Sequence, residues 1–570
     1  MAKLLNCYIV YMKNHILSTI LIIIFVFLGY NKQTHSQTKP HSEEITIIAP
    51  YQPSISDAIK IHLRPKIEAE EYKLPSLSYS IVPVKLSPDF QLSTLEPIEI
   101  KEEPFKDLFK NYVRLGVGNY ATPYFEFFAN KLQSKKQSFG IHLKHISSTG
   151  NIKEYAFPGY SKNEIDVFAK KFTGSQTLSA NAFYNRDVVH FYGYKPDDYP
   201  DTSISKNDNK QVFSTIGFNA RIQSNNNRKG NLDHNLGLKY YYFTDNFKSQ
   251  EHNVFFEAKF DKTLKMFDFT DNQTLGFITE VDFYSNDDIM KITNNAVLRL
   301  KPFIETRFEQ YNFYVGVDMS LMLDTVTKFH IFPILKGEIN VVANVLSAYA
   351  GIRGKFYKNS FKSLYEKNPF VMSILPLHYS TQKIEFYGGL TATPGKGFDF
   401  NISAGASNND NMPFFVTDTN SIFQNKFTLD FDKVKILWFN AEFAYQSNEN
   451  LKLMLNGKYQ QYTMDKESKP WFTPEFKLSF AANYIYKERF IFKGEIFANN
   501  EMYAKTYQAD KIIVKKIDGM LDINLGLEYR HTKSLSGFIN FNNIANSKYL
   551  KWYNYPVQGF NVLLGITYSF

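Results

Sequence analysis

Apolar and polar positions alternate along most of this chain. At the carboxyl end Val562, Leu564, Ile566, Tyr568 and Phe570 share one face, while Asn561, Leu563, Gly565, Thr567 and Ser569 share the other. Successive side chains of a strand point to opposite faces, so this segment has one oily and one wet side. The same period of two recurs upstream. Val113, Leu115 and Val117 alternate with Arg114, Gly116 and Gly118, and Leu178, Ala180, Ala182 and Tyr184 with Ser179, Asn181, Phe183 and Asn185. Leu236, Leu238, Tyr240 and Tyr242 form another such face, as do Phe476, Leu478, Phe480, Ala482, Tyr484 and Tyr486, and Leu521, Ile523, Leu525, Leu527 and Tyr529.

From about Tyr112 onward these runs follow one another at roughly 20-residue spacing, the interval of a barrel strand plus its connection. The pattern predicts an all-β fold: a transmembrane antiparallel β-barrel of about 22 strands, with a range of about 20–24. A soluble sandwich also has one polar face, but it rarely strings together so many long strands with almost no helix between them. The oily faces end repeatedly in Tyr or Phe, as the aromatic girdles at membrane interfaces do. Connections alternate in length. Ser134-Lys135-Lys136-Gln137 and Thr173-Gly174-Ser175-Gln176 are short and expected to be periplasmic. Residues 195–210 and 361–377 are long and expected to be extracellular.

Composition agrees with this picture. The chain has 570 residues with 53 Phe and 38 Tyr, yet its mean hydropathy is −0.32, as expected when only half of each strand faces lipid. The net charge of +9 comes from scattered Lys and Arg without a dense basic run, which argues against a nucleic-acid partner. The single cysteine, Cys7, precedes the apolar stretch ILSTILIIIFVFLGY at 16–30. That stretch follows Lys13, is slightly short for a bilayer span, and is followed by Thr34-His35-Ser36, so residues 1–36 read as a secretory signal peptide. Removal of the signal leaves an exported chain without thiols. Residues 37–108 hold nine of the 22 prolines and are expected to be extended or irregular, in the periplasm or the lumen, ahead of a barrel over 109–570.

The carboxyl-terminal FNNIANSKYLKWYNYPVQGFNVLLGITYSF resembles the end of TonB-dependent receptors, through Asn543, Asn546, Tyr549, Pro556, Gly559, Gly565, Tyr568 and Phe570. Phe560 stands where the family usually has Arg. The resemblance implies that the last strand closes the barrel and that Tyr568 and Phe570 carry the signal read by the barrel-assembly machinery. Glu44, Ile45, Thr46, Ile47, Ile48, Ala49 and Pro50 look like a TonB box, an extended peptide that pairs with TonB by strand addition. The family fills its barrel with a plug of well over a hundred residues, and only the proline-rich segment is available here. The hairpin YVRLGVGNYATPYFEFF and the Tyr and Lys richness look like the plugless, receptor-like barrels of the Bacteroidota. The segment from 38 to about 105 is expected to run partly inside the lumen as a small substitute plug, or else to hang in the periplasm and bind a partner.

Catalytic chemistry finds little support. His142 and His145 in HLKH are three apart and face opposite sides of a strand, so they share neither a metal nor a proton. There is no GxSxG or HExxH, and neither an enzyme, a metal site nor a cofactor is expected. Asp197-Asp198-Tyr199-Pro200-Asp201 and Asn408-Asn409-Asp410-Asn411 lack EF-hand spacing and read as solvated loops. Gly116-Val117-Gly118 reads as close packing within a strand, and Trp438, Trp471 and Trp552 as interface anchors. Two functions stay open. One is a transporter or channel for an unidentified solute, coupled to TonB or passive. The other is a structural or assembly component that anchors a larger complex with another outer-membrane or periplasmic protein. Outer-membrane lipid is the surrounding partner in both.

Overall fold

A computed structural model describes residues 109–570, apart from 132–133, 135, 202–204, 226–230, 268–271, 289, 396 and 509–510. The signal peptide and the proline-rich segment expected over 1–36 and 37–108 lie outside the described residues. Twenty-two strands form one continuous sheet, in which each pairs antiparallel with the barrel strands before and after it. The first strand, Asn111–Gly118, also pairs with the last, Asn561–Ser569, with Tyr112 opposite Ser569 and Gly118 opposite Leu563. The sheet is therefore a closed barrel with no free edge. Its strand number matches the sequence expectation, and strands 476–486 and 520–530 fall where the alternation places them.

The alternation sets the two faces. Leu115, Val117, Leu564, Ile566, Tyr568 and Phe570 are exposed on the outer face, whereas Leu563 and Thr567 are buried on the inner one. The seam depends on a missing side chain. Gly565 lies opposite Gly116, and a Cβ on Gly565 would sit 1.9 Å from the Leu115 carbonyl oxygen. The reading of Gly116 and Gly118 as close-packed strand residues holds, since a Cβ on Gly118 would meet the Val562 carbonyl oxygen at 2.7 Å.

The longest connections lie at one end, as expected, but 119–121, 246–249, 288–291 and 324–327 at that same end are short, so the alternation is incomplete. At the end holding Asn111 and Ser569 connections are short, two residues at 309–310 and at 449–450. The opposite end carries the long ones: 149–159, 191–209, 359–378, 418–426, 465–475, 500–519 and 543–560. Within 359–378 lies a short helix, Phe361–Lys367, whose N-cap Ser360 side chain accepts from the Ser363 N–H. Two small hairpins stand outside the ring, Met502–Gln508 with Lys511–Ile517 and Leu550–Trp552 with Tyr555–Pro556. Among the described residues no helix is long and apolar enough to cross a membrane.

Two expectations are corrected. Asn408–Asn411 is not a solvated loop. It lies within the strand Phe398–Thr417, at a register shift between Asn409 and Met412, and Asn409 is buried with its amide on the Ser407 hydroxyl at 2.9 Å. The tryptophans are not interface anchors either. Trp438 lies between the outward-facing Leu437 and Phe439, so it points inward, where its Nε1 donates to Glu385 Oε1 at 2.9 Å. Trp471 and Trp552 are buried among the loops. An indole N–H needs a partner when it leaves water, and for Trp438 and Trp471 the lumen wall and the loop interior supply a carboxylate that an oily outer belt lacks.

Candidate functional site

Inward-facing strand positions line the lumen with charges of both signs, several of them in ion pairs. Glu280 accepts from Arg299 at 2.9 Å and from Lys301 at 2.5 Å, and Arg353 pairs with Glu385. Glu126 is almost fully buried and is held by Tyr112, by the Tyr124 hydroxyl at 2.7 Å and by His142 Nε2 at 3.0 Å. His145 lies on the other face, with Nδ1 2.7 Å from Asn163 Oδ1. The two histidines are thus separated as the strand period requires, and His142 serves a wall carboxylate. Asp197 and Asp198 occupy an exposed 3-10 turn.

The apolar interior lies elsewhere. The largest buried apolar cluster is built from the loop end: Phe191, Phe361, Leu364, Phe370, Val371, Trp471, Phe472, Trp552 and Tyr555 come from the long connections and their flanks, and Phe213, Phe243, Phe414 and Phe427 from the adjoining strand ends. At its centre three rings meet. Tyr192 and Phe370 are edge-to-face at 5.8 Å, Tyr192 and Tyr555 edge-to-face at 4.8 Å, and Phe370 and Tyr555 stacked at 3.7 Å. Their loops, 191–209, 359–378 and 543–560, leave the ring at points eight, eight and six strands apart. Side chains from three nearly equidistant points of a ring touch only over its interior. The loops therefore cross the mouth and join above the lumen.

Polar clamps fix parts of this cap. Glu251 is fully buried and accepts from the Tyr241 hydroxyl at 2.8 Å, the Phe361 N–H at 2.7 Å and the Lys362 N–H at 3.3 Å. Its carboxylate thus sits at the amino end of the short helix and satisfies two of that helix's free donors. Asp245 accepts from Gln211 at 3.0 Å and pairs with Ser373, whose carbonyl oxygen accepts from the Ser249 hydroxyl at 2.6 Å. Backbone bonds Met372 N–H to Phe427 O (2.9 Å) and Phe427 N–H to Phe370 O (3.1 Å) tie loop 359–378 to the next strand pair. Lys505 Nζ bridges Asp430 at 2.7 Å and Glu467 at 3.0 Å. Burial by itself lowers the Lys505 pKa, but the hydrogen bonds and charges of the two carboxylates outweigh it and leave it raised. Lys426, over the Phe191 ring at 4.9 Å, is shifted downward by burial.

Of the residues singled out from sequence, Tyr568 and Phe570 are exposed on the outer face, with their rings stacked at 5.5 Å. Phe570 also exchanges backbone hydrogen bonds with Asn111 at 2.9 and 3.0 Å. Glu44, Ile45, Thr46, Ile47, Ile48, Ala49 and Pro50 lie outside the described residues. Sequence reasoning missed the cap. Its aromatics sit in stretches such as KNPFVM, KPWFTP and LKWYNYP, which have no helical or strand period. The only available signal was that these loops carry buried-type residues, Phe and Trp, where solvated loops are usually polar.

No protein-family model matches the chain, and no curated protein sequence matches it. Its fold is similar to solved outer-membrane receptors. The pyoverdine outer membrane receptor FpvA from Pseudomonas aeruginosa PAO1 matches with a TM-score of 0.61 at 11% identity, over 82% of this chain and 80% of that one. The siderophore receptor PirA from Acinetobacter baumannii gives 0.61 at 9% identity, over 81% and 80%. The ferric-catecholate import receptor Fiu from K12 E. coli gives 0.60 at 9% identity, over 82% of each chain. At these identities the likeness is one of fold.

Proposed function

We propose that this chain is an outer-membrane transport barrel that carries a solute through its lumen and is coupled to TonB. The observation that carries the reading is the closed 22-strand ring with an apolar outer belt and a charged inner wall. Such a cylinder is stable only with lipid outside, and at this strand number its lumen is wide enough for solute. The likeness in fold to receptors described as binding pyoverdine or importing ferric catecholates supports transport over enzymatic work. The paired lumen charges favour neither cations nor anions.

In this reading residues 1–36 direct export, Tyr568 and Phe570 are read by the barrel-assembly machinery, and long connections face outward. Residues 44–50 reach the periplasm and add a strand to TonB. The test is a chromosomal deletion of 44–50 in the source organism, compared with a deletion of the whole gene. Wherever loss of the gene limits growth, the short deletion should limit it equally, with unchanged amounts of protein in the outer membrane. Growth like the wild type under those conditions would remove the TonB coupling.

A further inference from the structure

The loops of the cap are not fastened equally. Loop 359–378 is held by backbone bonds to Phe427 and by the carboxylates of Glu251 and Asp245. The hairpin Leu550–Pro556 is different. Its base is closed on itself by Val557 N–H to Tyr549 O at 3.1 Å. That base is fixed to the wall by the Tyr549 hydroxyl on Asp522 at 2.6 Å and by the Gln558 amide on Ser148 at 3.0 Å. Beyond this base, its tip makes no backbone–backbone hydrogen bond to another loop among the described residues.

The tip enters the cap chiefly through two buried side chains, Trp552 and Tyr555, with Leu550 and Tyr553 packed beside them. Trp552 packs on Phe415, Phe427 and Phe472, with ring centroids at 5.2, 5.5 and 5.1 Å. Tyr555, fully buried, fills the place between Tyr192 and Phe370. A Cβ on Gly193 would lie 2.5 Å from the Tyr555 ring, so the neighbouring backbone is shaped around that ring. The polar ties of the tip are tyrosine hydroxyls: Tyr555 to the Asn425 carbonyl at 2.5 Å and Tyr192 to the Pro556 carbonyl at 2.9 Å. Among the described residues the buried Trp552 Nε1 has no hydrogen-bond partner. An unsatisfied indole N–H favours the state in which water reaches it. A fixed base, a separable tip and a polar group poorly served in the closed position are the features of a part that moves as a unit.

We propose that the hairpin Leu550–Pro556 is a withdrawable bolt, and that the loop cap, closed by its aromatic tip, is the barrel's permeability barrier. This rests on the transport reading above and locates its gate. Withdrawal of the tip breaks the ring contacts of Tyr555 and the Tyr192–Pro556 hydrogen bond by which loop 543–560 joins the three-ring centre, and a passage opens beside loops 191–209 and 359–378.

The test is single-channel recording in planar lipid bilayers in potassium chloride with the full-length mature protein, the double variant Trp552→Ala/Tyr555→Ala, and a variant with 550–556 replaced by Gly-Gly. Each is first checked for the faster gel migration of a folded barrel before heating. If the double variant does not fold, the excision variant carries the comparison. The wild type should be closed most of the time, and the hairpin variants should pass at least about tenfold more current. A wild type that conducts steadily, or hairpin variants as closed as the wild type, would overturn the bolt. In the second case residues 37–108 are removed from the excision variant. Current appearing only then places the barrier in that segment and leaves the transport reading standing. If no variant conducts, the transport reading falls as well.

Discussion

Lys505 illustrates how single residues hold the cap. Its ammonium joins Asp430 and Glu467, and its side chain is only 9% exposed. The two carboxylates are more open, at 35% and 19%, so the tie is partly screened. Lys505→Met would leave two carboxylates without their shared cation and should cost about 1–2 kcal/mol, less than for a fully buried pair. The pH dependence follows from the raised pKa of Lys505, which lies outside the barrel strands. A base bound more tightly in the folded state stabilises fully below its unfolded pKa, about 10.4. That stabilisation is lost as pH rises through the higher folded value. The stability gap between wild type and Lys505→Met should therefore be constant from about pH 7 to 9 and close above about pH 10. Thermal melting in detergent, followed by tryptophan fluorescence since Trp471 and Trp552 lie in the cap, measures it; a gap that widens with rising pH would contradict the assignment.

At the scale of strands, closure of the ring is decided where the first and last strands meet. Gly565 faces Gly116 and the Leu115 carbonyl oxygen at a distance that admits no side chain. Gly565→Ala should push the two strands apart, break the ladder over several residues and sharply lower the yield of folded barrel. Gly537, one strand away, is a matched control, since a Cβ there meets nothing closer than the Gly565 carbonyl oxygen at 3.8 Å. Gly537→Ala should fold normally. The fraction of protein that migrates fast before heating reads both, and equal folding of the two variants would sink the explanation. The strands themselves were legible in the sequence because Leu564, Ile566 and Tyr568 must share a face in any pleated strand. The inward position of Trp438 was legible for the same reason, since it stands between Leu437 and Phe439, but its residue type suggested the opposite. Parity along the strand outweighs the preference of tryptophan for interfaces when a carboxylate such as Glu385 waits inside.

For the whole molecule, the barrel separates two kinds of burial. The wall hides little apolar surface of its own and relies on lipid, whereas the cap has a protein-like aromatic core. The two should respond differently to solvent. With the barrel kept in detergent micelles, moderate urea should loosen the cap first, exposing Trp471 and Trp552, while the far-ultraviolet circular dichroism spectrum stays that of a β-sheet. A single coincident transition by fluorescence and dichroism would show that cap and wall unfold as one.

The sequence by itself determined that the chain is a barrel and which face of each periodic strand is apolar. A strand's side-chain period is two whatever surrounds it, so the local pattern carries the answer. The meeting of Tyr192, Phe370 and Tyr555 was decided only by the tertiary structure. These rings lie on loops without a period, separated in sequence by well over a hundred residues, and they become neighbours only after the ring has closed and brought three distant points of its rim around one opening.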